Sequence, residues 1–185
     1  MPEPPPDLAA ERRRWREFPR ERPREIEPAG PGQESVWDYP RPPRVEPVRE
    51  RLRVEHAGVS LADTTRGLRV LETASPPVYY LPRDDVRSEL FVPSEHVTFC
   101  EWKGLARHWS LRMPGRERAD VAWSYPEPDR EYELIRDAFA FYAGRVDACW
   151  VGEERVRPQA GSYYGGWITS KIRGPWKGSP GSAAW

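Results

Sequence analysis

The stretch RLRVEHAGVSLADTTRGLRVLET, residues 51–73, carries the pattern that decides the fold class. Leu52 and Val54 alternate with Arg53 and Glu55, the period of two of a half-buried strand. VSLADT and LRVLET then flank Thr65-Arg66-Gly67. The spacing predicts a hairpin with a three-residue loop and Gly67 in the left-handed position. That register sets Leu61 opposite Leu71 and Asp63 opposite Arg69, the second pair reading as a cross-strand ion pair.

The β pattern continues downstream. Pro76 and Pro77 interrupt it, Val78-Tyr79-Tyr80 reads as a short strand, and Pro82 opens one helical turn through Asp84, Asp85 and Val86. VTFCEWKG, residues 97–104, reads as a strand with Thr98, Cys100 and Trp102 on one face and Phe99, Glu101 and Lys103 on the other. Either Glu101 and Lys103 lie beside Phe99, or the strand ends before them. LARHWSLRM and ERADVAWSYP predict two more strands turning around Pro114-Gly115, and VDACWVGEERVRP predicts two short ones around Gly152-Glu153. One helix is predicted over 128–143. Pro128 suits its first position, Asp129 and Glu131 its positive end and Gly144 its stop, with Tyr132, Ile135, Phe139 and Tyr142 as the apolar stripe.

The expected fold is therefore mainly β (α+β): an antiparallel sheet or barrel-like core over residues 49–147 with one packed C-terminal helix. Residues 1–35, rich in Pro, Arg and Glu, are expected to be a disordered arm, since they lack the apolar surface that offsets ordering entropy. Residues 36–48, with Trp37 and Tyr39 beside a Pro-rich run, are expected to cross the surface as an extended strap. Residues 148–185, rich in Gly and Trp, are expected to form an ordered C-terminal strap.

The totals narrow the functional classes. Lys+Arg 29 against Asp+Glu 29 give a net charge of +0, so no global attraction to nucleic acid or anionic membrane arises. The basic cluster Arg12, Arg13, Arg14 and Arg16 is largely cancelled by Glu11, Glu17, Glu21 and Glu25, which argues against a nucleic-acid arm. The N-terminus has no apolar signal region and no run is long enough to span a bilayer. The two cysteines, Cys100 and Cys149, fit a reducing compartment, and the expectation is a cytoplasmic protein, with room for a homo-oligomer. No phosphate-binding Gly-x4-Gly-Lys-Ser/Thr loop occurs.

Only three positions are lysine, namely 103, 171 and 177, and two of them sit in a repeated tripeptide, Trp102-Lys103-Gly104 and Trp176-Lys177-Gly178. Where arginine fills nearly every other cationic position, the survivors mark places suited to a compact ammonium. His96, Cys100 and His108 offer three mixed metal ligands without a fourth, and no metal or cofactor is predicted. Cys100 reads as a small core residue rather than a nucleophile. The expected site is an aromatic pocket lined by Tyr79, Trp102, Trp123 and Tyr125, with Glu101 and Lys103 as its polar pair and Lys177 brought in by the C-terminal strap.

Gly58 through Asp63-Thr64, Val70-Leu71-Glu72-Thr73, Pro77 through Pro82, Cys100-Glu101-Trp102-Lys103-Gly104, Ala122 through Pro126 and Val146-Asp147 together resemble the bacterial family known as domain of unknown function 427. The resemblance covers roughly residues 49–147 and implies a small, mostly antiparallel β domain with one helix. The nucleotidyltransferase label sometimes attached to that family implies paired carboxylates holding a divalent ion. Here Asp84-Asp85 is the one adjacent acidic pair in the β core, and it falls on a turn. The expected function is thus a small-molecule-binding module. The alternatives are a transferase acting on a nucleotide or other phosphorylated substrate, and an interaction protein using its Pro- and Trp-rich ends.

Overall fold

A computed structural model describes residues 7–18, 22–161, 163–178 and 181–182. One helix, α1 (Leu8–Glu17), opens the described chain, its first turn capped by the Asp7 side chain. Fifteen strands follow: β1 (Glu34–Ser35), β2 (Arg44–Pro47), β3 (Leu52–His56), β4 (Val59–Thr64), β5 (Leu68–Leu71), β6 (Val78–Tyr80), β7 (Phe91–Cys100), β8 (Gly104–Met113), β9 (Arg116–Ser124), β10 (Ala140–Phe141), β11 (Ala148–Val151), β12 (Glu154–Arg155), β13 (Arg157–Pro158), β14 (Trp167–Ile168) and β15 (Ile172–Arg173). No helix among the described residues is long and apolar enough to cross a membrane.

Three antiparallel sheets form the body, in the orders β12-β11-β3-β4, β10-β9-β8-β7 and β2-β5-β6, and they do not close into a barrel. The long hairpins turn where the sequence predicts: β8 and β9 around Pro114-Gly115, β11 and β12 around Gly152-Glu153. β7 stops at Cys100, which pairs with Gly104, so Glu101, Trp102 and Lys103 form the loop of a hairpin rather than the end of a strand.

The expected pairing across Thr65-Arg66-Gly67 does not form. β4 pairs with β3 and β5 with β2 and β6, so the segment between them crosses from one sheet to another. Asp63 instead accepts from Arg51 Nε at 2.6 Å, and Arg69 bridges Glu34 and Glu46 at 3.0 and 2.9 Å. Gly67 is there for space and not for a left-handed turn. A Cβ on it would lie 2.3 Å from Leu52 Cδ1, inside the core.

The helix expected over 128–143 is also absent. Arg130–Ile135 is 3-10 helix, Asp137 turns the backbone at φ 55°, and Ala140–Phe141 leaves as β10 to pair with β9. The apolar stripe explains the difference. Tyr132 and Ile135 enter one hydrophobic cluster while Phe139 and Phe141 enter another, which a single helical face cannot do. Phe139, Ala140 and Phe141 are all fully buried in succession, a strand pattern, whereas Leu134 is 71% exposed.

The ends differ from expectation too. Within the arm expected over 1–35, residues 8–17 are helical, using hydrogen-bond partners supplied by the β core instead of an apolar core of their own, while 1–6 and 19–21 lie outside the described residues. Residues 148–151 belong to a principal sheet as β11, inside what was expected to be a terminal strap. Beyond them β13 pairs with β14, and β15 runs parallel to β1. Val36, Trp37 and Tyr39 are buried with Leu71, Ala74 and Ile172 in a third small cluster.

Leu52 is fully buried and has little room to rotate away from an added methyl. Gly67→Ala is expected to cost about 1–3 kcal/mol through overpacking. Urea unfolding would show this as a lower midpoint with an unchanged slope; an unmoved midpoint would mean that Leu52 repacks freely.

Candidate functional site

The loop Glu101-Trp102-Lys103 is fixed through its carbonyls. Arg12 of α1 donates from Nε to the Glu101 carbonyl at 2.7 Å and from Nη2 to the Trp102 carbonyl at 3.3 Å, and its guanidinium pairs with Asp129. The Asp129 backbone N–H donates to the Lys103 carbonyl at 3.1 Å. Gly104 follows at φ 95°, a conformation that glycine adopts at no steric cost. The loop sends Trp102 into a hydrophobic cluster and turns the Lys103 side chain toward a cavity of about 310 Å³.

Aromatic side chains build much of that cavity. Tyr80 comes from β6, Trp123 from β9, and Tyr125 from just beyond it. Trp15 of α1 closes one side, and Tyr163 and Tyr164 of the C-terminal segment close another. Gly165 passes so near the Trp123 ring that a Cβ would lie 2.1 Å from Cη2, so the close approach of the tail requires glycine.

Charged groups sit within this aromatic frame. Arg41, Lys103 and Lys177 face Glu72 and Glu101. Lys103 is only 8% exposed, and no hydrogen bond or ion pair reaches its Nζ among the described residues. Its nearest aromatic partners are the rings of Tyr125 and Tyr132, at 5.9 and 6.0 Å. Burial disfavours the Lys103 ammonium, while Cys100, Tyr125, Tyr80 and Glu72 favour it, and the balance holds its pKa well above the ordinary lysine value. Lys177 behaves oppositely. Burial lowers its pKa, Glu72 opposes that, and the Arg41 cation adds to it. Burial pushes the Tyr80 hydroxyl up to about 12 and raises Tyr125 as well, so both stay protonated donors near neutral pH.

A histidine pair flanks the cavity. His108 lines it and stacks on His96 with ring centroids 4.2 Å apart. His108 Nε2 lies 3.1 Å from Thr98 Oγ1, and its Nδ1 is buried without a hydrogen-bond partner. His96 Nδ1 lies 3.2 Å from an Asp120 carboxylate oxygen. Burial, with His96 and Arg145 adding to it, pulls the His108 pKa down to about 4, so the ring is neutral at physiological pH. Among the described residues no group of His, Cys, Asp or Glu is arranged to hold a metal ion.

Of the residues singled out in the sequence, Glu101, Lys103, Trp123, Tyr125 and Lys177 meet at this cavity. Two do not line it. Tyr79 alternates with Tyr80 along β6, so it points the other way and stacks on Trp167 at 5.1 Å. Trp102 is buried behind the loop, with the Arg16 guanidinium 5.7 Å from its ring centroid. Sequence reading missed Tyr80, Glu72, Arg41 and Gln159. The period of two along Val78-Tyr79-Tyr80 already offered Tyr80, since Val78 also lines the cavity. Arg41 and Gln159 arrive from segments with no periodic signal.

The sequence profile of the family described as a domain of unknown function (DUF427) matches residues 44–152, more than half of the chain, and the protein belongs to that family. No curated protein matches the chain. Glu72, Cys100, Glu101, Lys103, Trp123 and Tyr125 fall inside the family region. Trp15, Arg41, Tyr163, Tyr164 and Lys177 fall outside it, so the flanks complete a cavity begun by the family core.

The His108 ring gives this region a pH signature. In the unfolded chain it protonates near its ordinary value of 6.5, in the folded protein only near 4, so between those values the unfolded state binds more protons. The corresponding stability is complete above pH 6.5 and is lost as pH falls toward 4. The loss by pH 5 is on the order of 2 kcal/mol. Thermal melts of the wild type and His108→Gln between pH 7 and 5 are expected to show a steeper fall for the wild type; parallel curves would assign the fall to other groups.

Proposed function

We propose that the protein is a binding module for a small, flat organic anion held between the aromatic walls of this cavity. The observation that carries the reading is Lys103: an amine more than nine-tenths buried, facing a cavity, whose Nζ has aromatic rings beside it but no hydrogen bond or ion pair among the described residues. A buried charge is costly unless it is paired. A carboxylate or phosphate entering the cavity supplies the missing partner, and charge-assisted hydrogen bonds of this kind are the strong ones. Trp123, Tyr80 and Tyr125 supply apolar contact area, while Glu72 and Glu101 fix orientation by accepting from donor groups on the ligand.

The cavity's volume of about 310 Å³ suits a ligand with one or two rings. Isothermal titration calorimetry with benzoate and phenyl phosphate tests the reading. Wild type is expected to bind at least one of them. Lys103→Met is expected to weaken binding by about 10-fold to 100-fold, the range for hydrogen bonds to charged groups. The same variant keeps most of the side-chain volume, and its far-UV circular dichroism is expected to match that of the wild type, which separates loss of binding from loss of fold. Absence of binding by the wild type at millimolar ligand would overturn the reading.

A second reading is favoured by one specific feature, the presence of both Lys103 and Lys177 at the same cavity. Two amines and Arg41 together suit the spread charge of a phosphoryl group and so a transferase acting on a nucleotide or other phosphorylated substrate. Binding of a nucleoside monophosphate at least tenfold tighter than benzoate, and lost in both Lys103→Met and Lys177→Met, would support it; equal affinities would count against it.

A further inference from the structure

The three lysines of this chain sit in three different chemical situations, and two of them line one cavity without a hydrogen bond or ion pair at the amine among the described residues. Lys171 is exposed and pairs with Glu50 at 2.7 Å, which holds it as an ammonium. Lys103 is buried among groups that favour its charged form. Lys177 lines the same cavity as Lys103, and no hydrogen bond or ion pair reaches its Nζ among the described residues. Burial favours its neutral form, Glu72 opposes that, Arg41 adds to it, and Glu101 and Cys100 oppose it, with burial prevailing. Desolvation is one of the ways a protein raises the neutral, nucleophilic fraction of an amine, and here it acts on an amine that lines a cavity.

Its backbone is fixed on both sides. The Lys177 N–H donates to the Ala74 carbonyl at 2.8 Å, and its own carbonyl accepts from Gln159 Nε2 at 2.8 Å. Gln159 is buried, and its Oε1 in turn accepts from the Gly166 N–H at 3.0 Å. Gly178 follows at φ 95°, where a Cβ would lie 2.4 Å from the Ala160 carbonyl oxygen. The tripeptide Trp176-Lys177-Gly178 is therefore a tight turn that carries an amine to the cavity wall.

We propose that Lys177 condenses reversibly with the carbonyl group of a planar carbonyl acid whose anionic group is held by Lys103. The proposal rests on the reading of the cavity as an anion site. The neutral Nζ lone pair forms the new N–C bond, and the carbonyl π pair moves to oxygen. The oxygen takes up two protons in all, one at the carbinolamine stage and one as it departs, matching the two that nitrogen gives up. Water leaves and a C=N bond remains, with no change of oxidation state. The ligand class is an aromatic aldehyde or α-keto acid bearing a carboxylate or phosphate. The cavity would select it twice, by charge at Lys103 and by carbonyl reactivity at Lys177.

Reductive trapping of the full chain tests this. The protein would be incubated with 4-carboxybenzaldehyde and sodium cyanoborohydride, and labelled positions mapped by peptide mass spectrometry. With three lysines and the N-terminal amine as targets, the assignment is direct. Labelling is expected at Lys177 at least tenfold faster than at Lys171, and Lys177→Met is expected to abolish it. Lys103→Met is expected to slow labelling of Lys177 by 4-carboxybenzaldehyde at least tenfold, with no effect on labelling by benzaldehyde, which carries no anion. Lys171 labelled as fast as Lys177, or total labelling unchanged by Lys177→Met, would overturn the proposal. The two readings fail separately. Benzoate binding that survives Lys177→Met, without selective labelling of Lys177, removes the imine and leaves the anion site. Selective labelling by both aldehydes alike, without benzoate binding, removes the anion site and leaves the reactive amine.

Discussion

The arrangement of the site depends on how three backbone carbonyls are satisfied. Glu101, Trp102 and Lys103 make a loop so short that none of their carbonyls can join the β7–β8 ladder, and an unpaired carbonyl near the core carries a penalty comparable to a lost hydrogen bond. Arg12 takes two and the Asp129 N–H takes the third. The pairing of Arg12 with Asp129 then joins the two donors into one unit. With the loop held at all three residues, Trp102 is committed to the hydrophobic cluster and Lys103 to the cavity. A freely moving loop would let the ammonium leave the cavity for solvent.

The division of labour between core and flanks follows from the same logic. The family region supplies a rigid frame: sheets, Trp123, Tyr125 and the buried amine. The flanks add the parts that face it, Trp15 on one side and Tyr163, Tyr164 and Lys177 on the other. Walls made from separate segments can differ between relatives without disturbing the sheets, as loops on a scaffold usually do.

Much of the fold was legible because strands β7, β8, β9, β11 and β12 are joined by short turns that local sequence encodes, such as Pro114-Gly115 and Gly152-Glu153. Two features were not. The Thr65-Arg66-Gly67 turn has hairpin chemistry, yet the pairing of β3 with β4 was already complete, and Gly67 reports a contact with Leu52 across the core that no window of sequence contains. The 128–143 stripe has helical spacing, but its residues divide between two clusters, and only the three-dimensional arrangement shows that. For the site, the scarcity of lysine pointed to Lys103 and Lys177 because residue type alone held the signal. Which of Tyr79 and Tyr80 faces the cavity is set by neighbours distant in sequence, and Arg41 and Gln159 reach the cavity from irregular segments where periodicity says nothing.

The parallel pairing of β1 with β15 has a bearing on how the molecule assembles. Glu34 lies opposite Ile172, the Glu27 N–H donates to the Gly174 carbonyl at 3.1 Å, and Trp37 Nε1 donates to the Pro175 carbonyl at 2.7 Å. These contacts join residues separated by nearly the whole β core, so they close a very large loop if formed first and a small one once the core has gathered its ends together. Loop-closure entropy therefore favours joining the two flanks after the core rather than before it. Each flank also has partners of its own in the core, Arg12 at the Glu101 and Trp102 carbonyls and the Lys177 N–H at the Ala74 carbonyl, so the β1–β15 contacts tie together two segments that the core already holds.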